Sequence, residues 1–457
     1  MTHRTMNRKL AVVGIGLAIL ILISPRTVMA KDYQVANADA LASATKELEP
    51  GDTVVLADGV WKDADLLMMG QGTIDAPILF RTASPGGVTL SGNTRIRIAG
   101  DHVTVDGFCF RDAWHKSALV EFRKDSKHLA RSCRLTNIDI DDCNPPDLKT
   151  ENKFVSIYGK NHTVDHCYLA GKRNPGATMV VWLSDDSGGH TIEQNHFGPR
   201  PVLGRNGGET IRVGDSQTAY LSANVTVQAN RFERCDGEAE TISNKSCDNV
   251  YRGNLFVQCS GTLTLRHGRR CLVDGNVFLG NKARGSGGVR IIGIDHCVTN
   301  NYFEALEGDH FRSALAITNG IPASPANGYE PVSGAKVVGN TFIECKRSIL
   351  IGADIEHDSQ VAPQNCSFTN NLIVSRRGPM IDLQNPGDRH RWIDNRCFGK
   401  GNRLGEGQDP ADPDSIVTRL DQPPAIDTSL RDQVTQVVTG PSWRQPPKSP
   451  RKAASGI

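Results

Sequence analysis

The sequence predicts an all-β protein, a single-stranded right-handed parallel β-helix, and three observations carry that reading. A short motif recurs seven times: an apolar residue, two or three further residues, Asn, any residue, then Phe or a similar apolar group. After residue 60 no amphipathic helix of ordinary length can be read. Glycine is abundant, 45 of 457 residues, and aromatics are few at 6%, as expected for many short strands closed by turns.

Taken in order, residues 1–30 read as a secretory signal. Arg4, Arg8 and Lys9 form a positive start, Leu10 to Ile23 an apolar run, and Val28-Met29-Ala30 a small-residue cleavage site. The run is short for a membrane span. The expectation is therefore a secreted or periplasmic protein with no membrane attachment once the signal is removed. Residues 31–400 form the β-helix. Within them residues 33–100 supply early coils and a cap, with a short capping helix over Leu41–Leu48.

The repeats then follow as Ile192…Asn195-His196-Phe197, Val227…Asn230-Arg231-Phe232, Val250…Asn254-Leu255-Phe256 and Leu272…Asn276-Val277-Phe278. They continue as Val298…Asn301-Tyr302-Phe303, Val337…Asn340-Thr341-Phe342 and Phe368…Asn371-Leu372-Ile373. Asn-to-Asn steps of 22 to 39 residues suit one coil each, the longer ones with an added loop. A coil cannot bury its apolar face alone, so coils must stack, and an Asn repeated at one turn can ladder its side-chain amides. Twelve cysteines, several inside apolar runs such as Phe108-Cys109-Phe110, suit stacked buried thiols at least as well as bridges. Residues 401–457 lose the pattern and read as a packed-on tail with a partly disordered, Pro-rich end.

Charge narrows the partners. Lys plus Arg is 52 and Asp plus Glu is 50, which argues against a nucleic-acid binder. Without the four bases of residues 1–30 the count is 48 against 50, a net of −2. The balanced total conceals a sorted distribution. Alternation points Arg212, Arg266 and Arg290 outward, with Glu238-Ala239-Glu240 between them, so these residues are expected to form one column on stacked coils. Ser243-Asn244 is expected to turn the chain so that Lys245 joins the same face. The amide of Asn206 and the carboxylates of Glu238 and Glu240 are hard oxygen donors of the kind that bind Ca²⁺. A surface ladder of ion pairs would explain the same spacing, although such pairs contribute only about 0–1 kcal/mol each.

Four segments carry a resemblance. Asn206-Gly207-Gly208-Glu209-Thr210-Ile211-Arg212, Glu238-Ala239-Glu240-Thr241-Ile242-Ser243-Asn244-Lys245-Ser246, Gly261-Thr262-Leu263-Thr264-Leu265-Arg266-His267-Gly268 and Gly287-Gly288-Val289-Arg290 resemble polysaccharide lyase family 6, which contains alginate lyases and chondroitinase B. The resemblance spans roughly residues 31–400. It implies Ca²⁺ on Asn206, Glu238 and Glu240, Lys245 as base, Arg266 as general acid, and Arg212, His267 and Arg290 along the substrate groove. The implied reaction is β-elimination on an anionic, 4-linked uronic-acid polysaccharide, alginate first and dermatan sulfate second. For sulfate recognition Lys172, Arg173 and Arg312 are candidates. A neutral Lys245 is required to accept a proton, and nearby positive charge favours that form. Two rivals remain at this level: a glycoside hydrolase using a carboxylate pair such as Asp141-Asp142 or Asp185-Asp186, and a non-catalytic polysaccharide-binding β-helix.

Overall fold

In the computed structural model, residues 1–2, 29–353, 359–405 and 413–444 are described; most of the expected signal peptide and the Pro-rich end lie outside them. Strands wind into three long sheets in which every pairing between neighbouring strands is parallel. The first sheet holds 14 strands, from Asp32–Val35 to Arg391–Ile393. The second holds 12, from Asp65–Gln71 to Ile381–Leu383, and the third 14, from Gly59–Lys62 to Arg396–Phe398 and Thr418–Arg419. Each sheet takes one strand from each successive coil, which is the expected β-helix. Among the described residues no helix is long and apolar enough to cross a membrane.

The interior is built from rows. Phe197, Phe232, Phe256, Phe278, Phe303 and Phe342 stack face to face with centroids 4.5–4.8 Å apart, close to the ~4.8 Å between paired strands. Beside them the Asn ladder forms as expected. Nδ2 of Asn195, Asn230, Asn254, Asn276, Asn301, Asn340 and Asn371 each donates to Oδ1 of the next, at 2.9–3.0 Å, ending on Asn395. All twelve cysteines are free thiols, eleven of them buried.

The structure corrects three local expectations. The capping helix is Ala38–Ala44, three residues earlier than expected, because Asn37 accepts from the Ala40 amide and starts it there. The inward row aligned with Val227 continues through Tyr251 and Val273, not Val250 and Leu272. The spacing to the ladder Asn is three residues in every coil, and a one-residue slip would turn these side chains outward. Finally, Ser243-Asn244 makes no turn. Glu240–Lys245 is one strand of the second sheet, with Asn244 buried inside and Lys245 on the outer face.

After residue 412 the chain doubles back over the third sheet. Val434, in the short helix Ser429–Thr435, packs on Leu255, Val277 and Tyr302.

Candidate functional site

The second sheet carries a groove of about 580 Å³, lined among others by Asn206, Glu209, Glu238, Glu240, Lys245, Arg266 and Arg290. Six of the eight site residues read from the sequence thus meet in one place. Arg212 and His267 are not among its lining residues.

The expected single column does not form. Arg212 and Arg290 do share a row, but through Ser243 and Thr264. Glu240 pairs in register with Thr262, while Arg266 falls at a register shift where Lys245 pairs with His267. The charges converge because long side chains reach across rows. Glu240 ion-pairs with Arg290 and lies 4.0 Å from Arg266 Nε.

Each cation is held differently. Arg266 donates through Nη1 to the Gly328 carbonyl at 2.6 Å and through Nη2 to the Asn327 carbonyl at 3.1 Å. Its guanidinium lies 3.9 Å over the Tyr329 ring. Arg290 is 4% exposed and packs on Phe311, whose ring Arg312 also faces. Burial and the neighbouring Arg290 lower the Arg312 pKa. By contrast, the Lys245 ammonium makes no hydrogen bond or ion pair among the described residues, and it opens into the groove. His267 is buried beside Lys245, with Nε2 3.3 Å from Ser216 Oγ. Burial, then the charges of Arg266 and Lys245, push its pKa down to about 3, so it is neutral. Arg212 lies 4.9 Å over the Trp182 ring.

The acidic end of the groove rests on a loop that needs glycine. Gly207 has φ +91°, and a Cβ on Gly208 would sit 2.4 Å from the Gly237 carbonyl oxygen. That close approach lets the Gly208 amide donate to Glu238 Oε2 at 3.1 Å. It also brings in Glu209, a residue absent from the sequence-derived site. Glu209 is 5% exposed, and its Oε2 is buried with no hydrogen-bond partner. Burial, then the charge of Glu209, push the Glu238 carboxyl up to about 7. An orphaned carboxylate oxygen beside a carboxyl that resists ionisation is an arrangement that a cation could neutralise. The donors Asn206, Glu209, Glu238 and Glu240 are all oxygen, so the set fits a hard ion. Among the described residues no three His, Cys, Asp or Glu side chains already converge as a metal site; Glu240 is turned onto Arg290 instead.

The rival residues have other partners. Asp186 pairs with Arg131 and Lys160, Asp142 with Arg173, and Asp141 with Arg444. Of the sulfate candidates only Arg312 lines the groove. Lys172 is 1% exposed, enclosed by carbonyl and amide oxygens, and Arg173 is bound to Asp142.

The family model described as Chondroitinase B matches residues 35–384. Among solved structures, the PL6 family alginate lyase AlyGC is 36% identical, with a TM-score of 0.79 over 85% of this chain and 53% of that one. A variant of the same enzyme is 33% identical, with a TM-score of 0.82 over 93% of this chain and 60% of that one. The chain therefore spans little more than half the length of these two. A mannuronic acid specific polysaccharide family 6 lyase from human gut microbiota is 28% identical, with a TM-score of 0.80 over 91% of this chain and 97% of that one. No curated protein matches the sequence.

Proposed function

Since the chain belongs to polysaccharide lyase family 6, the family of the chondroitinase B model, we propose that it is a secreted lyase that cleaves alginate by calcium-assisted β-elimination. The observation that carries this reading is the placing of an unpaired lysine ammonium, fixed arginines and an under-neutralised carboxylate cluster in one groove. Alginate is preferred to dermatan sulfate because the similar structures include an alginate lyase and a mannuronic acid specific enzyme.

In this reading Lys245 Nζ, in its neutral form, takes the C5 proton of the uronate. The electron pair left on carbon forms the C4–C5 double bond and the C4–O4 bond breaks. Arg266, fixed by two carbonyls and the Tyr329 ring, faces the leaving oxygen and supplies its proton or a strong hydrogen bond. Arg290 holds Glu240 in place, and His267, being neutral, adds no charge beside Lys245. Asn206, Glu209, Glu238 and Glu240 would hold Ca²⁺, which supplies positive charge against the substrate carboxylate and the developing carbanion.

The test offers the purified protein alginate, polymannuronate, polyguluronate, dermatan sulfate and pectate, with and without a chelator, and follows the ultraviolet absorbance of the unsaturated uronate. A rise on alginate or its blocks, abolished by chelator and restored by calcium, is expected. No rise on any polymer would sink the lyase reading. A rise on dermatan sulfate alone would move the substrate, and one on pectate alone would remove both.

A further inference from the structure

Beneath the acidic loop lies a cation that the proposed chemistry does not use. Arg200 is 2% exposed. Its guanidinium donates five hydrogen bonds, and among the described residues it pairs with no carboxylate. Nη1 reaches the Glu209 carbonyl at 2.6 Å and Thr178 Oγ1 at 3.1 Å. Nη2 reaches the carbonyls of Gly176, Gly207 and Asn174 at 2.9, 3.0 and 3.3 Å. Burial lowers its pKa to about 10, so it stays charged at neutral pH. The Arg200 backbone is bound as well: its amide donates to the Arg234 carbonyl and its carbonyl accepts from the Asp236 amide. Its Nε lies so near Gly237 that a Cβ there would stand 2.9 Å away.

One residue therefore grips both segments that bring donors to the groove, 206–209 by its side chain and 234–238 by its backbone. Two of its five bonds fall on the carbonyls of Gly207 and Glu209, within the segment that carries Asn206 and Glu209. Lys172 shows the contrast. It is equally buried and shares the Asn174 carbonyl with Arg200, but its other ammonium bonds fall on Asn152, the Asn174 side chain and Pro175, and none on residues 206–209.

We infer that Arg200 is a positioning residue for the metal site, a buried clamp that holds Asn206, Glu209 and Glu238 toward a common point. This rests on the calcium reading above. A planar fork suits this arrangement, because its two Nη groups direct four N–H bonds along fixed, divergent lines toward the five oxygens, a spread that one ammonium nitrogen cannot span. Arg200→Lys keeps the charge and removes the fork, so it isolates geometry from electrostatics.

The experiment is a calorimetric titration of Ca²⁺ into the full chain, paired with thermal unfolding in chelator. Arg200→Lys is expected to bind calcium at least tenfold more weakly, with turnover recovering to within about threefold at saturating calcium. Lys172→Met is expected to lower the thermal midpoint and leave the isotherm in place. A folded Arg200→Lys protein with unchanged calcium affinity would overturn the inference, even if its midpoint fell. If Arg200→Lys does not fold, Thr178→Val removes one Nη1 acceptor and is expected to weaken calcium about threefold; unchanged affinity there overturns the inference equally. An unmodified protein that binds no calcium would sink the metal reading and this inference with it, whereas tight binding insensitive to both variants would sink this inference alone.

Discussion

The difference between Lys245 and its neighbours is one of tethering. Arg266 and Arg290 are locked by carbonyls, rings and Glu240, so each acts as a fixed charge. The Lys245 ammonium has no such hold and can change protonation state without breaking a native contact. Lys245→Ala is accordingly expected to slow elimination by about 10²–10⁴-fold with no change in thermal midpoint, measured as initial rates of ultraviolet absorbance. A variant retaining full rate would dismiss it as the base. The sequence reaches Lys245 through the family resemblance and an expected turn. Strict counting of alternation from Glu240, five residues away, would point it to the other face, and the register shifts in this strand spoil that count. Glu209 escapes that counting, since the strand begins at Ile211 and period-two reasoning is silent on the loop before it. Its orientation is set by Arg200 and Gly207-Gly208, contacts between coils that spacing does not encode. Lys172 misleads in the opposite way. A Lys-Arg pair in a loop looks solvated, yet four oxygens draw Lys172 fully inside.

Single coils are marginal, and rows that run through many coils hold the elements together. Asn276 illustrates the cost of breaking one. Its Oδ1 accepts from both the backbone amide and Nδ2 of Asn254, at 3.0 and 2.9 Å, while its own Nδ2 donates to the Tyr251 carbonyl and to Asn301. Asn276→Ala leaves two buried donors of Asn254 unmet, so a loss of about 3–5 kcal/mol is expected, read by chemical denaturation. A loss below about 1 kcal/mol would mean that the ladder is incidental. This ladder was legible because Asn is chemically distinctive and recurs at the coil period. The apolar residue before it was legible only to within one position, because Val250 and Tyr251, or Leu272 and Val273, are both acceptable to a pattern that asks only for apolarity. The charged column failed for a related reason: coil lengths around the groove differ, and register shifts at Glu240 and Lys245 spoil a fixed spacing even though the long side chains still meet.

For the whole molecule, the solenoid followed from the repeat, while its pH response and the particular anchors of its tail did not. His162 and His296 are fully enclosed, each accepting a backbone amide at Nδ1, at 3.1 and 3.2 Å, and donating through Nε2 to a carbonyl. Burial pushes both pKa values down to about 4 and that of His190 to about 3. The unfolded chain, with His near ~6.5, binds protons that the folded chain refuses. Stability from this source is complete above about 6.5 and is lost as pH falls toward 4, on the order of 3 kcal/mol per histidine. Thermal midpoints should therefore drop between pH 6.5 and 4, and a flat profile there would contradict the neutral assignment.

The anchors lie in the returning segment 429–444. It crosses the third sheet, away from the groove on the second. Val434 seals Leu255, Val277 and Tyr302, Arg431 lies 3.5 Å from Glu304, and the Gly440 amide donates to the Gln194 carbonyl. Arg444 reaches Asp139 and Asp141 with its guanidinium 3.4 Å over the Tyr168 ring. These anchors tie together coils more than a hundred residues apart in sequence, and they are single contacts with no repeat to announce them. Shortening the chain after residue 428 uncovers apolar surface worth about 1.5–3 kcal/mol for each large side chain fully exposed and removes one of the two arginines that neutralise the buried Asp139. The expected outcome is a lower thermal midpoint and faster inactivation on heating, with kcat/KM at 25 °C within twofold of the full chain. A truncated protein as heat-stable as the full chain would show that the segment contributes nothing to the fold. A folded one with sharply lower kcat/KM would show instead that the third sheet is coupled to the groove through the packed interior.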